Sequence, residues 1–312
     1  MTADIIRSML AKKAGPEILN VLTEGLSGTD LNSLLLEVFR LRTSALSAPE
    51  LLNRYQRNRF VKPSDLPALE TRQAELEVLR LFSGSGFTPV DLSPVSILGS
   101  CSALGPVNQH KVLSALRGTE VLADSTNAIA LHYADLRERK MLGDNTARFS
   151  VVQRHVRSQA ITGKGFTPHF RVGCLVTCGR DTGSYQFEKT ALSEHLKAMH
   201  TLFTEYYHVD HIGFRLQHRA GYPDNFSAAM HDHLRADLPD FKVTLTGKPG
   251  DDNAYYKGLQ YKVDIYIKGR PYEIADGGFV DWTQQLLQNR KERMFSTGFG
   301  FDFMCRLLNG QL

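Results

Sequence analysis

The sequence is short of several things, and each shortage removes a class of protein. Cysteine is scarce: Cys101, Cys174, Cys178 and Cys305 are the four in 312 residues, and they include no C-x-x-C pair. Neither a disulfide framework nor a zinc site is signalled, and reduced, mostly buried thiols are the plain reading. No window approaches 18 uninterrupted apolar residues, so no membrane span is expected. The opening stretch MTADIIRSMLAKKAGPEILNVL has charges every few positions and no small-residue cleavage site after an apolar run. A soluble cytoplasmic protein is therefore expected. Charge of one sign is also lacking: 37 Lys and Arg face 33 Asp and Glu, a net +4. That balance permits an anionic ligand but falls well short of a dedicated nucleic-acid binder. There is no internal repeat and no low-complexity segment. GKGF at 163–166 and GKPG at 247–250 are basic and glycine-rich without P-loop spacing, and read as loops.

What is present divides the chain into a helical module over 1–62 and a larger core over 63–312. In the module, DLNSLLLEVFRLR sets Leu31, Leu34, Leu35, Val38 and Phe39 on one helical stripe, and SAPE (Ser47 to Glu50) opens the next helix with a capping box and an early proline. RYQRNRFVK clusters Arg54, Arg57, Arg59 and Lys62, which reads as a solvated helix face, with phosphate contact as the alternative. After the break KPSDLP, the stretch ALETRQAELEVLRLFSGSGF reads as a long amphipathic helix ending in glycines. Beyond Gly86, strand-like runs such as HIGFRLQH and YKVDIYI alternate with helical stretches such as ALSEHLKAMHTLFTEY, which predicts an α+β fold with an antiparallel sheet.

Histidines at 208, 211, 218, 231 and 233 raise a metal reading. On a strand His208 and His211 would point to opposite faces, and no Cys or Glu completes a set at ligand spacing, so no metal is assigned.

Read in order, several segments resemble the class II aminoacyl-tRNA synthetase core. The long helix running into GFTPVDLSP, with Pro94 closing the strand, is similar to the first signature. PHFRVGCLVTCGRDTGSYQFE resembles the second, in which a Phe-Arg pair ends one strand, a loop crosses over the nucleotide and the chain returns on a neighbouring strand. STGFGFDF falls where the third should be. EVLADSTNAIAL, IGFRLQHR, AYYKGLQYKV and EIADGGFVDW resemble segments of one branch, that of histidyl-tRNA synthetase and the regulatory subunit of ATP phosphoribosyltransferase. The resemblance covers about 64–312. It implies an antiparallel sheet flanked by helices, an N-terminal helical module outside it, and a homodimer formed through the segment ending at Pro94.

The resemblance also implies roles. Asp124 and Thr126 match the acid and threonine that hold an amino acid's ammonium group, which a carboxylate beside a hydroxyl suits; a simple helix N-cap is the other reading of DSTN. Arg171 matches the second-signature arginine, and Arg180 lies in the crossing loop, with a surface salt bridge as its alternative. Gln186 and Glu188 lie where the loop returns. Tyr255 and Tyr256 match the Tyr-Tyr pair, and Asp281 the acid of the Gly-Gly segment. Three arginines of the pattern are missing: Phe303, Asp251 and Phe279 stand in their places, with Val280 and Gly173 as further departures. Loss of several cations that would face phosphate makes ordinary adenylate formation a poor expectation. The chain reaches Leu312 directly after the third signature, so no anticodon-binding domain and no tRNA charging are expected.

Two functions remain. One is a synthetase-core paralogue that binds an amino acid or related small ligand and acts through a protein partner, with no cofactor and no assigned catalytic residue. The other is a ligase using ATP and magnesium to activate an amino acid for transfer to a protein or small molecule, with Lys291 or Arg293 as substitute cations. Either way Phe303 is expected to pack under the sheet or against the cleft, with Phe299 and Phe301 beside it at strand spacing.

Overall fold

A computed structural model describes residues 3–143, 146–159, 166–247 and 254–312. Two compact units are present, one of Met1–Lys62 with Ser114–Glu120, the other of Pro63–Leu113 with Val121–Leu312.

The first unit contains helices α1 (Ala3–Ala14), α2 (Ile18–Asn20), α3 (Gly28–Ser44) and α4 (Ala48–Arg57). Ser27 and Ser47 cap α3 and α4, accepting from the amides of Asp30 and Glu50 at 3.1 and 3.3 Å, and proline sits in the first turn of α4. These local devices form the helices expected from the sequence. The apolar stripe does not close a core, however. Neither α3 nor α4 buries a residue, and Leu34, Val38 and Phe39 are exposed.

In the second unit, α5 (Ala68–Gly84) leads into β1 (Thr88–Pro89), β2 (Val95–Ile97) and α6 (Ser100–Leu104). The expected strand closed by Pro94 is shorter than predicted, ending at Pro89. Pro94 lies beyond it, and its carbonyl accepts from the Leu122 amide at 3.0 Å. The short β3 (Thr119–Val121) precedes α7 (Ser125–Glu138) and the hairpin β4 (Ala147–Val156) and β5 (His169–Arg180). Then come α8 (Gln186–Thr201), β6 (His211–His218), α9 (Phe226–Asp237), β7 (Val243–Thr246), β8 (Lys257–Ile267), β9 (Arg270–Val280), α10 (Trp282–Leu286), β10 (Glu292–Phe299) and α11 (Phe301–Leu308).

Eight of these strands form one sheet in the order β1-β4-β5-β10-β9-β8-β6-β7. Its interior pairs are antiparallel, and β1 and β7 join the two edges in parallel. This is the α+β architecture expected, a large mostly antiparallel sheet flanked by helices.

The central strands are buried on both faces, and side-chain alternation sorts them. From β5, Cys174, Val176 and Cys178 join Ile129, Ala130 and Tyr133 of α7 and Trp282 of α10 in one core. Leu175 joins Val78 and Phe82 of α5, Leu192 and Leu196 of α8 and Phe226 and Met230 of α9 in the other. That second core also holds a polar line. His195 of α8 contacts Thr177 at 2.9 Å through Nε2 and Thr297 at 2.7 Å through Nδ1, and Thr297 meets the Tyr261 hydroxyl at 2.6 Å. Every polar atom in that line has a partner, as burial requires.

The end of the chain corrects one expectation. Strand β10 stops at Phe299 and α11 begins at Phe301, so Phe299, Phe301 and Phe303 do not share a strand. Two residues apart on a helix point to nearly opposite sides. Phe301 is fully buried beside Phe299, with ring centroids 6.3 Å apart, while Phe303 lies partly exposed against Tyr272 and Phe166 at 6.3 and 6.2 Å.

Gly173 opposes Phe299 across β5 and β10, and a Cβ there would fall 2.0 Å from the phenylalanine ring. Glycine is needed here for room. Gly173→Ala should therefore destabilise the protein by at least the roughly 1–3 kcal/mol of an overpacked core, read as a lowered urea midpoint. An unchanged midpoint would show that Phe299 moves aside freely.

Candidate functional site

A cavity of about 620 Å³ opens on the α7 side of the sheet. Its floor is the cavity-facing set of three strands: Phe170, Val172 and Cys174 of β5, Asp276 of β9, and Ser296 and Gly298 of β10. Asp124 and Thr126 border it where α7 begins. Asp124 is the N-cap of α7. Its Oδ1 accepts from the Thr126 amide at 2.8 Å and the Thr126 hydroxyl at 2.7 Å, and its Oδ2 accepts from the Tyr255 hydroxyl at 2.7 Å. Capping and cavity lining thus coexist in one carboxylate. Burial pushes the Tyr255 phenol well above its ordinary value, with the Asp124 charge next, so it stays a donor.

The adjacent Tyr256 serves a second carboxylate. Its hydroxyl bonds Asp276, which also accepts from Gln260 Nε2 at 3.0 Å. Gln260 Oε1 in turn accepts from Arg219. Burial raises the Asp276 carboxyl above its usual range despite these donors. Tyr256 fits because residue 278 is glycine: a Cβ there would come within 2.6 Å of the Tyr256 ring and of the Leu259 carbonyl oxygen.

Two further groups complete the wall. His155 of β4 lines the cavity and is buried, with its Nε2 3.1 Å from the Ser125 amide and 2.6 Å from the Ser125 hydroxyl. An amide N–H can only donate, so Nε2 is the acceptor and the neutral ring carries its proton on Nδ1. That Nδ1 has no hydrogen-bond partner among the described residues. Arg157 stands just past the end of β4, its Nε 3.3 Å from the Ala123 carbonyl and its guanidinium 5.5 Å from the Phe170 ring centroid.

Four of the residues singled out from the sequence, Asp124, Thr126, Tyr255 and Tyr256, therefore meet at one cavity. The others do not line it. Arg171 follows Phe170 on β5 and so points through the opposite face. There it is buried, 3.2 Å from Asp302 and 3.4 Å from Glu75. Arg180 pairs with Glu292 at 2.9 Å, the surface-bridge alternative, although Glu292 is itself buried and accepts from Tyr133. Glu188 is buried between the Tyr222 hydroxyl at 3.0 Å and Arg293 at 2.8 Å, and Arg293 also takes Asp181 at 2.7 Å. Arg293 is thereby spoken for, and neither it nor Lys291 lines the cavity. Gln186 opens α8 and bonds Thr190 at 3.2 Å. Asp281 precedes α10 and accepts from Gln285 at 2.8 Å. Among the departures, Phe279 lies in the core on the far face with Phe295 at 4.5 Å, and Phe303 is outside the cavity wall. Asp251 and most of the GKGF and GKPG loops lie outside the described residues.

No protein-family model matches the sequence, and no curated protein sequence matches it. Solved structures do match. An ATP phosphoribosyltransferase regulatory subunit/histidyl-tRNA synthetase from Bacillus halodurans superposes with a TM-score of 0.61 at 12% identity, over 81% of this chain and 83% of that one. A histidine–tRNA ligase subunit from Alicyclobacillus acidocaldarius gives 0.57 at 13% identity, over 82% and 97%. The histidyl-tRNA synthetase of S. aureus gives 0.60 at 11%, over 80% and 69%. The fold is that of a class II synthetase core.

β4 and β5 form the antiparallel hairpin beside the cavity. Nothing local marks His155 and Arg157: in QRHVR the residues Gln153, Arg154, His155 and Arg157 are all polar, so no alternation shows a cavity face. Asp276 lies in EIADGGF beside the Gly-Gly pair, with no local pattern to mark it. Among the described residues no group of three or more His, Cys, Asp or Glu is placed to hold a metal, and no helix is long and apolar enough to cross a membrane.

Burial lowers His155 to about 4 and His195 to about 3, against 6.5 when unfolded. The unfolded chain thus takes up protons below pH 6.5 that the folded chain refuses. Stability should be complete above that pH and fall as pH drops from 6.5 toward 4, with a slope of about 1.4 kcal/mol per pH unit for each histidine. Asp276, raised by burial, works in the opposite sense, one group against two. Urea midpoints at pH 7 and 5 measure this, and a flat profile would contradict neutral burial of both imidazoles.

Proposed function

We propose that this chain uses a class II core to bind an amino acid or a close relative, with the ligand's ammonium group on Asp124, and acts through a protein partner. The observation that carries the reading is the Asp124 carboxylate, held on both oxygens by Thr126 and Tyr255 at the wall of the cavity. A carboxylate fixed before the ligand arrives spends little entropy on binding, and partial removal from water strengthens its hold on a cation. The scarcity of cavity cations favours binding over adenylate chemistry: Arg171 is committed on the opposite face, and Phe303 supplies no charge. The Bacillus halodurans neighbour is named as a regulatory subunit, which supports action through a partner by analogy of fold. A homodimer through the first signature is part of the proposal, supported by exposed Leu69, Leu76, Val95 and Ile97 in α5 and β2.

Arg157 favours a second reading. It and Lys111 line the same cavity, and two cations there could meet the phosphates of ATP with magnesium in a ligase that activates the bound amino acid. ATP–pyrophosphate exchange across all amino acids separates the two, since turnover with any one establishes the ligase. Under the binding reading Phe303→Arg should leave ATP affinity unchanged, because position 303 does not line the cavity.

Asp124→Asn keeps an acceptor for the Thr126 amide and removes the charge. The fold should survive, while calorimetry should show amino-acid affinity falling by about 1.5–3 kcal/mol, the size of a charge-assisted hydrogen bond. Unchanged affinity, or a collapse of melting temperature instead, would leave Asp124 as a helix cap alone.

A further inference from the structure

The cavity holds more recognition groups than an ammonium site needs. Asp276 places a second carboxylate on its wall, steadied by Tyr256 and Gln260. Asp124 and Asp276 both line this one cavity. Glu273 also lines the space, but its oxygens already take Arg215 and Lys262 at 2.7 Å each. On the donor side, His155 is 1% exposed with Nε2 saturated by Ser125 and Nδ1 without a partner. Arg157 stands two residues along the same strand face. A buried N–H without an acceptor is costly, and native structures keep few of them without a reason.

We infer that the ligand is an amino acid whose side chain carries a second cation, an ammonium group, bound by Asp276. Its α-ammonium rests on Asp124 and its carboxylate accepts from His155 Nδ1–H and Arg157. The inference rests on the amino-acid reading of Asp124 and adds the side-chain class. A neutral side chain would strip water from Asp276 and return nothing, and an acidic one would set two carboxylates together. A cation restores the charged form of a carboxyl that burial alone disfavours.

The test uses the full chain and two pairs of ligands, L-lysine with L-norleucine and L-ornithine with L-norvaline. In each pair the second member keeps the α-groups and carbon chain and lacks the terminal nitrogen. Calorimetry should show the cationic member binding about tenfold tighter or more in at least one pair. Asp276→Asn should bring that ratio near one while leaving the neutral member's affinity within about threefold. Equal binding within both pairs of the unsubstituted chain would overturn the inference, and that comparison depends on no variant's folding. A preference that survives in folded Asp276→Asn would also overturn it. No binding by any of the four would reject the amino-acid reading and the inference together. Neutral members that bind through Asp124 without any cationic preference would reject the inference alone.

Discussion

Burial of the central strands on both faces is the constraint from which the rest follows. Along the buried stretches of β5 and β10, Leu175, Phe295 and Phe299 enter one core, while Cys174, Val176, Cys178 and Met294 enter the other and Val172, Ser296 and Gly298 face the cavity, as the pleat requires. A register slip of one residue would exchange the faces and put every apolar side chain in the wrong layer. The tight seat of Phe299 over Gly173 adds a steric lock to that register.

Charge placement is a consequence. Arg171 sits on the face opposite the cavity, where a lone guanidinium would be severely penalised, and Asp302 and Glu75 meet it there. The acid that precedes Phe303 is thereby explained: Asp302 answers Arg171 across 131 residues, joining the start of β5 to the start of α11. Asp302 Oδ2 keeps no hydrogen-bond partner among the described residues, so the pair is not perfectly satisfied. Arg293, Glu188 and Asp181 make a similar closed set. Residues that look like phosphate clamps in one dimension serve here to neutralise each other.

The cavity is assembled differently. Its polar groups are held by short contacts within one rim: Thr126 and Tyr255 on Asp124, Tyr256 and Gln260 on Asp276, Ser125 on His155. The start of α7 supplies three consecutive participants, Asp124, Ser125 and Thr126, because a helix N-terminus presents amides that need acceptors. Adjacent tyrosines then reach two different carboxylates, which ties the two halves of the site to one short segment.

Much of this was legible in the chain itself. Periodicity and capping residues are local, so the helices opened by Ser27 and Ser47, the α+β alternation and the class II order of segments could be read from neighbouring residues. So could Asp124, Thr126, Tyr255 and Tyr256, whose motif lies in contiguous stretches. The face of a strand on which an arginine falls is not local: it depends on where the hairpin turns. β4 ends at Val156 and β5 begins at His169, which leaves Arg157 at the cavity and puts Arg171 on the opposite face. Asp276 and His155 were equally invisible, because a single acid or imidazole in a strand acquires meaning only when distant segments enclose it. Sequence determined the elements and their order; the pairing of β4 with β5 decided which of their side chains the cavity receives.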